Sequence, residues 1–176
     1  MYEQAETTFV EALMQHIIGQ VTIPKVQVER VVGPILGMFI ARALSAKLEA
    51  NLAMICAEFP LRKQDRQDWE SSNIDWLLYN RTDEELVFLE LKTTGAINKD
   101  QAQFYLSLAT EIREVGSAFL LKSVDGISKA SRAKKKYAAV LACMQPHERF
   151  SNCNEAKLVY LVPKWTAKTW TTFFKR

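Results

Sequence analysis

The feature that most constrains this chain is a pair of short apolar runs closed on a polar turn. Ile74 to Tyr79 is dense in apolar residues, and Leu86 to Lys92 is apolar until its last residues. Between them, residues 80–85 read Asn-Arg-Thr-Asp-Glu-Glu. Two runs of strand length around such a turn predict an antiparallel hairpin. A turn centred between Thr82 and Asp83 sets Asp75 opposite Glu90 on one face, with Cα atoms roughly 4.5–5.5 Å apart. The period of two puts Lys92 on the same face as Glu90. It points Leu89 and Leu91 the other way, into the core with Ile74, Trp76 and Leu78.

Two carboxylates pressed together on an apolar hairpin are costly unless something neutralises them. Like charges so close raise one pKa or recruit a cation. All-oxygen ligands suit Mg²⁺ or Mn²⁺. Such an ion lowers the pKa of a bound water and clamps a phosphate oxygen, and a neighbouring lysine offsets charge that builds up at phosphorus. Asp75, Glu90 and Lys92 on one face therefore have the chemistry of phosphodiester hydrolysis. The bare tripeptide Asp/Glu-x-Lys is a weak signal, expected by chance about one to two times in a chain of this composition. It occurs as Glu90-Leu91-Lys92 and as Glu155-Ala156-Lys157. The second follows the polar Ser151-Asn152-Cys153-Asn154 and has no acid-bearing hairpin partner, so the first is preferred.

The rest of the chain predicts an α/β fold, a small mixed sheet flanked by helices. Its 176 residues fit one domain, and 48% hydrophobic content supports a core. Phe9, Leu13 and Ile17 predict a helix over about 2–18. Pro34 is read as opening a long helix, with Leu36, Ile40, Leu44, Leu48 and Leu52 in one stripe that ends before Pro60. Arg62 to Ser72 reads as a loop. Helices are expected over about 98–114 and over 131–144, the segment between Gly116 and Gly126 reads as strand or helix, with helix favoured, and a last strand is expected over 157–162. This divides the chain into a helical extension (1–33), a core (34–163) and an aromatic, basic tail (164–176). Cys56, Cys143 and Cys153 are odd in number and far apart, so free thiols are expected. The acidic start and the short apolar stretch 31–41 predict a cytoplasmic protein without a membrane span. A net charge of +3 does not by itself announce nucleic-acid binding.

Asn73-Ile74-Asp75 followed by Phe88-Leu89-Glu90-Leu91-Lys92 resembles the core of the PD-(D/E)XK, or restriction-endonuclease-like, nuclease superfamily, with Ile74 where the family usually has proline. Gln101-Ala102-Gln103-Phe104-Tyr105 resembles the Q-x-x-x-Y motif of the branch that includes bacterial recombination exonucleases and phage-type exonucleases, and here its two named residues are i,i+4 on one helical face. The resemblance covers roughly Leu48 to Ile112. It implies a restriction-endonuclease-like core, Asp75, Glu90 and the Leu91 carbonyl as ligands of Mg²⁺ or Mn²⁺, Lys92 acting on the attacking water, and Gln101 and Tyr105 contacting substrate or supporting the site. The expected activity is a metal-dependent DNA nuclease. The family often adds an upstream glutamate on the helix before the sheet, and Glu49 and Glu58 both qualify by position.

Lys129, Arg132, Lys135 and Lys136, with Lys134, form the densest basic region. They are either a solvated helix face or a contact to nucleic-acid phosphates. Trp165 and Trp170 among basic tail residues either cap the core or stack on bases. His16 and His147 lack a second ligand at metal spacing and read as structural or exposed. Two rival functions stay open: a catalytically silent nucleic-acid-binding module on the same fold, and an interaction protein whose hairpin acids form a surface ion pair.

Overall fold

The computed structural model describes residues 28–62, 71–92, 97–144, 150 and 152–162. The expected first helix, His16, His147 and the tail with Trp165 and Trp170 lie outside these residues. Among the described residues the chain runs α1 (Val28–Leu48), β1 (Leu52–Arg62), β2 (Ser71–Asn80), β3 (Glu85–Leu91), α2 (Lys99–Val115), α3 (Ala118–Ala130), α4 (Lys134–Met144) and β4 (Ala156–Leu161). The strands form one mixed sheet in the order β1-β2-β3-β4. The first three are antiparallel neighbours, and β4 joins β3 in parallel after a crossover that contains α2, α3 and α4. Parallel neighbours need such a long connection, whereas β2 and β3 need only a turn.

The hairpin has the expected register. Trp76 pairs with Leu89, Leu77 with Phe88, Leu78 with Val87, Tyr79 with Leu86 and Asn80 with Glu85. Asn80 builds the turn. Its buried amide oxygen accepts from the backbone N–H of Thr82 at 3.0 Å, and its Nδ2 donates to Asp83 at 2.7 Å and Glu85 at 3.0 Å. A short polar side chain that bonds backbone two residues on stabilises the reversal.

Helices cover both faces of the sheet. On one, Ile40 and Leu44 of α1 pack with Trp76, Leu78, Val87, Leu89 and Leu91. Gly37 lets α1 come close there: a Cβ at this position would lie 3.1 Å from Trp76 Nε1. On the other face, α2, α3 and α4 bury Tyr105, Leu108, Ile112, Val124, Ile127 and Tyr137 against Phe59, Leu77, Leu86 and Phe88.

Four expectations need correction. The long helix does not reach Pro60: it includes Pro34 within its length and ends at Leu48, and Leu52–Arg62 is an eleven-residue strand. Glu49 turns the chain at φ 53°. Ser45 Oγ then donates to the Ala41 carbonyl at 2.7 Å and accepts from Leu52 N–H at 3.0 Å, which ties the helix end to the strand start. Pro60 is tolerated because β1 is an edge strand. Arg62, Ser71 and Ser72 belong to strands rather than to a loop, and residues 63–70 lie outside the described set. The last helix begins at Lys134, three residues later than expected. Ile74 packs with Phe59 on the α2–α4 face, not with Trp76 and Leu78. Alternation is strict only where the ladder is continuous. The β2–β3 pairing stops at Trp76–Leu89, and the neighbouring Glu58 of β1 has a left-handed φ of 51°.

Cys56, Cys143 and Cys153 are free thiols. Burial pushes the Cys56 thiol up to about 12, so it behaves as an inert core residue. No described helix is long and apolar enough to cross a membrane.

Candidate active site

The site lies where β2 and β3 run out of shared ladder. Beyond Trp76–Leu89, the Asp75 carboxylate takes a place that a backbone carbonyl would hold, and its Oδ2 accepts from Leu91 N–H at 2.7 Å. One residue before Leu91, Glu90 is only 3% exposed. A buried carboxylate needs charge compensation and hydrogen bonds, and Glu90 has both. Its Oε1 accepts from the Tyr105 hydroxyl at 2.6 Å and its Oε2 accepts from Lys92 Nζ at 3.0 Å.

Helix α2 supplies the rest. Asn98 caps it by accepting from Asp100 N–H at 3.0 Å and Gln101 N–H at 3.1 Å, which satisfies otherwise orphaned donors and fixes where the first turn points. Gln101 and Tyr105, one turn apart, then face the strand ends. Lys92 Nζ donates to Gln101 Oε1 at 3.0 Å, and Gln101 Nε2 donates to Tyr105 Oη at 2.8 Å. The four side chains Glu90, Lys92, Gln101 and Tyr105 thus close a ring of hydrogen bonds. Tyr105 also lies 3.2 Å from the Asn73 carbonyl, and its ring packs against Phe88 and Phe104. Burial first, and then the Glu90 carboxylate, raise the Tyr105 phenol far above its ordinary range, so this hydroxyl stays a donor.

Asp75 has a different environment. Burial pushes its carboxyl up to about 6. The Leu91 N–H opposes that shift, the charges of Glu90 and Glu58 add to it, and Lys92 only partly offsets them. The pairs Ala57–Trp76 and Phe59–Ile74 bracket Glu58 and Asp75 on adjacent strands. Asn73 Nδ2 holds Glu58 at 3.2 Å. Of the two candidate upstream acids, Glu58 is therefore the one whose charge reaches the hairpin site, from a strand rather than a helix. Glu49 is exposed at the end of α1.

Asp75, Glu90, Lys92, Gln101 and Tyr105 come together; Lys129, Arg132, Lys135 and Lys136 do not join them. Lys129 pairs with Asp125 at 2.6 Å along its own helix. Arg132, Lys135 and Lys136 are exposed between α3 and the first turn of α4, and Lys136 lies 5.9 Å from the centre of the Tyr137 ring. The second Glu-x-Lys match has no such ring: exposed Glu155 pairs with Arg113 at 2.9 Å, and Lys157 pairs with Glu85.

Among the described residues, no group of three or more His, Cys, Asp or Glu side chains is gathered closely enough to hold a metal ion. The oxygen donors that the site does offer are the Asp75 and Glu90 carboxylates, with the Leu91 carbonyl adjacent in sequence. So small a hard-oxygen set fits a cation that keeps several waters.

Sequence reasoning missed Asn73, which touches both Glu58 and Tyr105. It also missed Tyr160, which is the β4 register partner of Glu90. Asn73 stands two residues before Asp75 and could have been flagged by that position. Tyr160 carries no local signal, because its nearness to Glu90 depends on a parallel pairing across more than sixty residues of chain. No protein-family model matches this chain, and neither a curated protein nor a solved structure is significantly similar to it.

Proposed function

We propose that the chain is a Mg²⁺- or Mn²⁺-dependent nuclease that hydrolyses phosphodiester bonds in DNA, on a restriction-endonuclease-like core. The observation that carries this reading is the ring Glu90–Lys92–Gln101–Tyr105 closed beside Asp75. A bound divalent cation would supply a water of lowered pKa and a counter-charge for the phosphate. Asp75 and Glu90, with the Leu91 carbonyl, would hold it. Glu58 would contribute negative charge beside Asp75. Lys92, already oriented by Gln101, would hydrogen-bond the attacking water and offset charge that builds up on the phosphate oxygens. Tyr105 and Gln101 would hold Glu90 and Lys92 in place, because both side chains are themselves tied by the ring and by packing.

The test is incubation of the full chain with linear, circular and single-stranded DNA, with Mn²⁺ or with chelator. Cleavage that needs the cation and disappears in Lys92→Ala is the expected result. Cleavage that Lys92→Ala leaves unchanged removes the site from the reaction.

A second reading is a catalytically silent nucleic-acid-binding module. One observation favours it: both Glu90 oxygens are engaged by protein donors, so a cation would have to compete with Lys92. Salt-dependent DNA binding without cation-dependent cleavage would decide for this alternative.

A further inference from the structure

Glu90 has two tyrosine neighbours and uses one of them. Tyr105 reaches it from α2. Tyr160 stands beside it on β4, as its register partner in the parallel β3–β4 pair. In-register neighbours of a parallel pair project from the same face. Leu158, two residues before Tyr160, packs in the cluster that holds Phe88 and Tyr105, so this is the face that carries Glu90. The Tyr160 hydroxyl is buried and has no hydrogen-bond partner among the described residues.

A buried hydroxyl without a partner costs free energy, and such groups are rare enough in folded proteins to need a reason. Burial, and after it the charge of Glu90, hold the Tyr160 phenol up at about 12; it is therefore a standing donor at neutral pH, within electrostatic reach of Glu90. A carboxylate offers roughly four acceptor positions, and the protein fills two on Glu90, from Tyr105 and Lys92. Of those two donors, Lys92 is the one placed to change partners. It is 16% exposed against 3% for Glu90, and its flexible stem ends in three rotatable N–H bonds.

We propose that Tyr160 is a positioning residue for Glu90: when the Lys92 ammonium turns toward a bound ligand, the Tyr160 hydroxyl replaces it on the Glu90 carboxylate. The exchange keeps a buried carboxylate hydrogen-bonded and oriented while its lysine is engaged elsewhere. It rests on the nuclease reading for the identity of that ligand, a phosphate ester with its attacking water, but not for the exchange itself.

The experiment is a double-mutant cycle on the full chain, read by urea unfolding, with wild type, Tyr160→Phe, Lys92→Met and the double variant. Tyr160→Phe alone is expected to leave the unfolding equilibrium constant unchanged or to lower it, because the hydroxyl has no bond among the described residues to lose. In the Lys92→Met background the same change is expected to raise that constant about fivefold, because Tyr160 is then bonded to Glu90. Equal effects in the two backgrounds overturn the proposal, since a purely structural ring would behave alike in both. Lys92→Ala replaces Lys92→Met if the latter does not fold. With Mn²⁺ and DNA, Tyr160→Phe is expected to lower kcat with little change in KM. A coupled cycle in a protein that does not cleave DNA sinks the nuclease reading and leaves the exchange standing. An uncoupled cycle in a protein that does cleave DNA does the reverse.

Discussion

The two Glu-x-Lys tripeptides sit on neighbouring strands and have opposite surroundings. Glu90-Leu91-Lys92 closes β3. Its glutamate is buried, its lysine folds back onto that glutamate, and Gln101 and Tyr105 complete a ring. Glu155-Ala156-Lys157 opens β4. Its two charges go to different partners: exposed Glu155 to Arg113 of α2, and Lys157 to Glu85 at the turn end of the hairpin. The same three-residue spacing therefore yields a preorganised polar cluster in one case and ordinary ion pairs in the other. What separates them is whether a helix N-terminus covers the strand end. Asn98 caps α2, whose first two turns bring Gln101 onto Lys92 and Tyr105 onto Glu90, whereas Arg113 in the last turn of that helix meets Glu155 in solvent.

The two tripeptides differ most in what their lysines do. Lys92→Ala is expected to lower cation-dependent DNA cleavage by about a hundredfold or more, the loss typical of removing one preorganised charge-stabilising donor. Lys157→Ala is expected to leave it near the wild-type rate. Equal rates for the two variants would erase the distinction.

Tyr105→Phe keeps the ring packed on Phe88 but leaves Glu90 Oε1 and Gln101 Nε2 each short of a partner. Urea unfolding is expected to show a loss of about 1–3 kcal/mol, the cost of unsatisfied buried groups. An unchanged midpoint would mean that the hydrogen-bonded ring does not support the fold.

A smaller effect concerns pH. The Asp75 carboxyl titrates at about 6 in the folded chain against an ordinary 3.8. Between those values the folded state binds a proton that the unfolded state lacks. The stabilisation is complete below about 4 and is lost as pH rises through about 6. Thermal unfolding in chelator is expected to show Tm falling across this window in wild type, and Asp75→Asn should remove the fall. If the site takes a cation, Mn²⁺ should raise Tm more at pH 7 than at pH 5. A wild-type Tm that rises from pH 4 to pH 6 by an amount that Asp75→Asn abolishes would reverse the assignment. The smallest change is expected from Arg113→Ala, which breaks an exposed pair and should leave the urea midpoint within error.

Local chemistry made much of this legible in advance. The register of the β2–β3 hairpin follows from one turn, because a tight reversal leaves one way to align the strands on either side of it. Tyr105, Leu108 and Ile112 are the buried stripe of α2, as their spacing requires. The strand β1 was not legible. Leucines at every fourth residue from Leu36 to Leu52 continue a helical stripe past the point where the helix ends, and Leu52 is buried on the same α1-side core although it belongs to a strand. The stop is written in Ser45 and Glu49, whose hydrogen bonds and left-handed φ carry no periodic signal. The choice between Glu49 and Glu58 followed the same error: with β1 misread as helix, nothing placed either acid against Asp75.

Turn geometry and periodicity alone specify the hairpin, its register and the face of α2 that carries Gln101 and Tyr105. These depend on contacts a few residues apart, where turn geometry and helical or strand periodicity leave little freedom. Long-range packing instead sets Glu58 beside Asp75 and Tyr160 beside Glu90, and keeps the basic residues from Lys129 to Lys136 apart from the ring. Those placements come from an edge strand and from a parallel crossover more than sixty residues long. Pairings over such distances are selected by burial of the whole core, not by any residue near them in the chain.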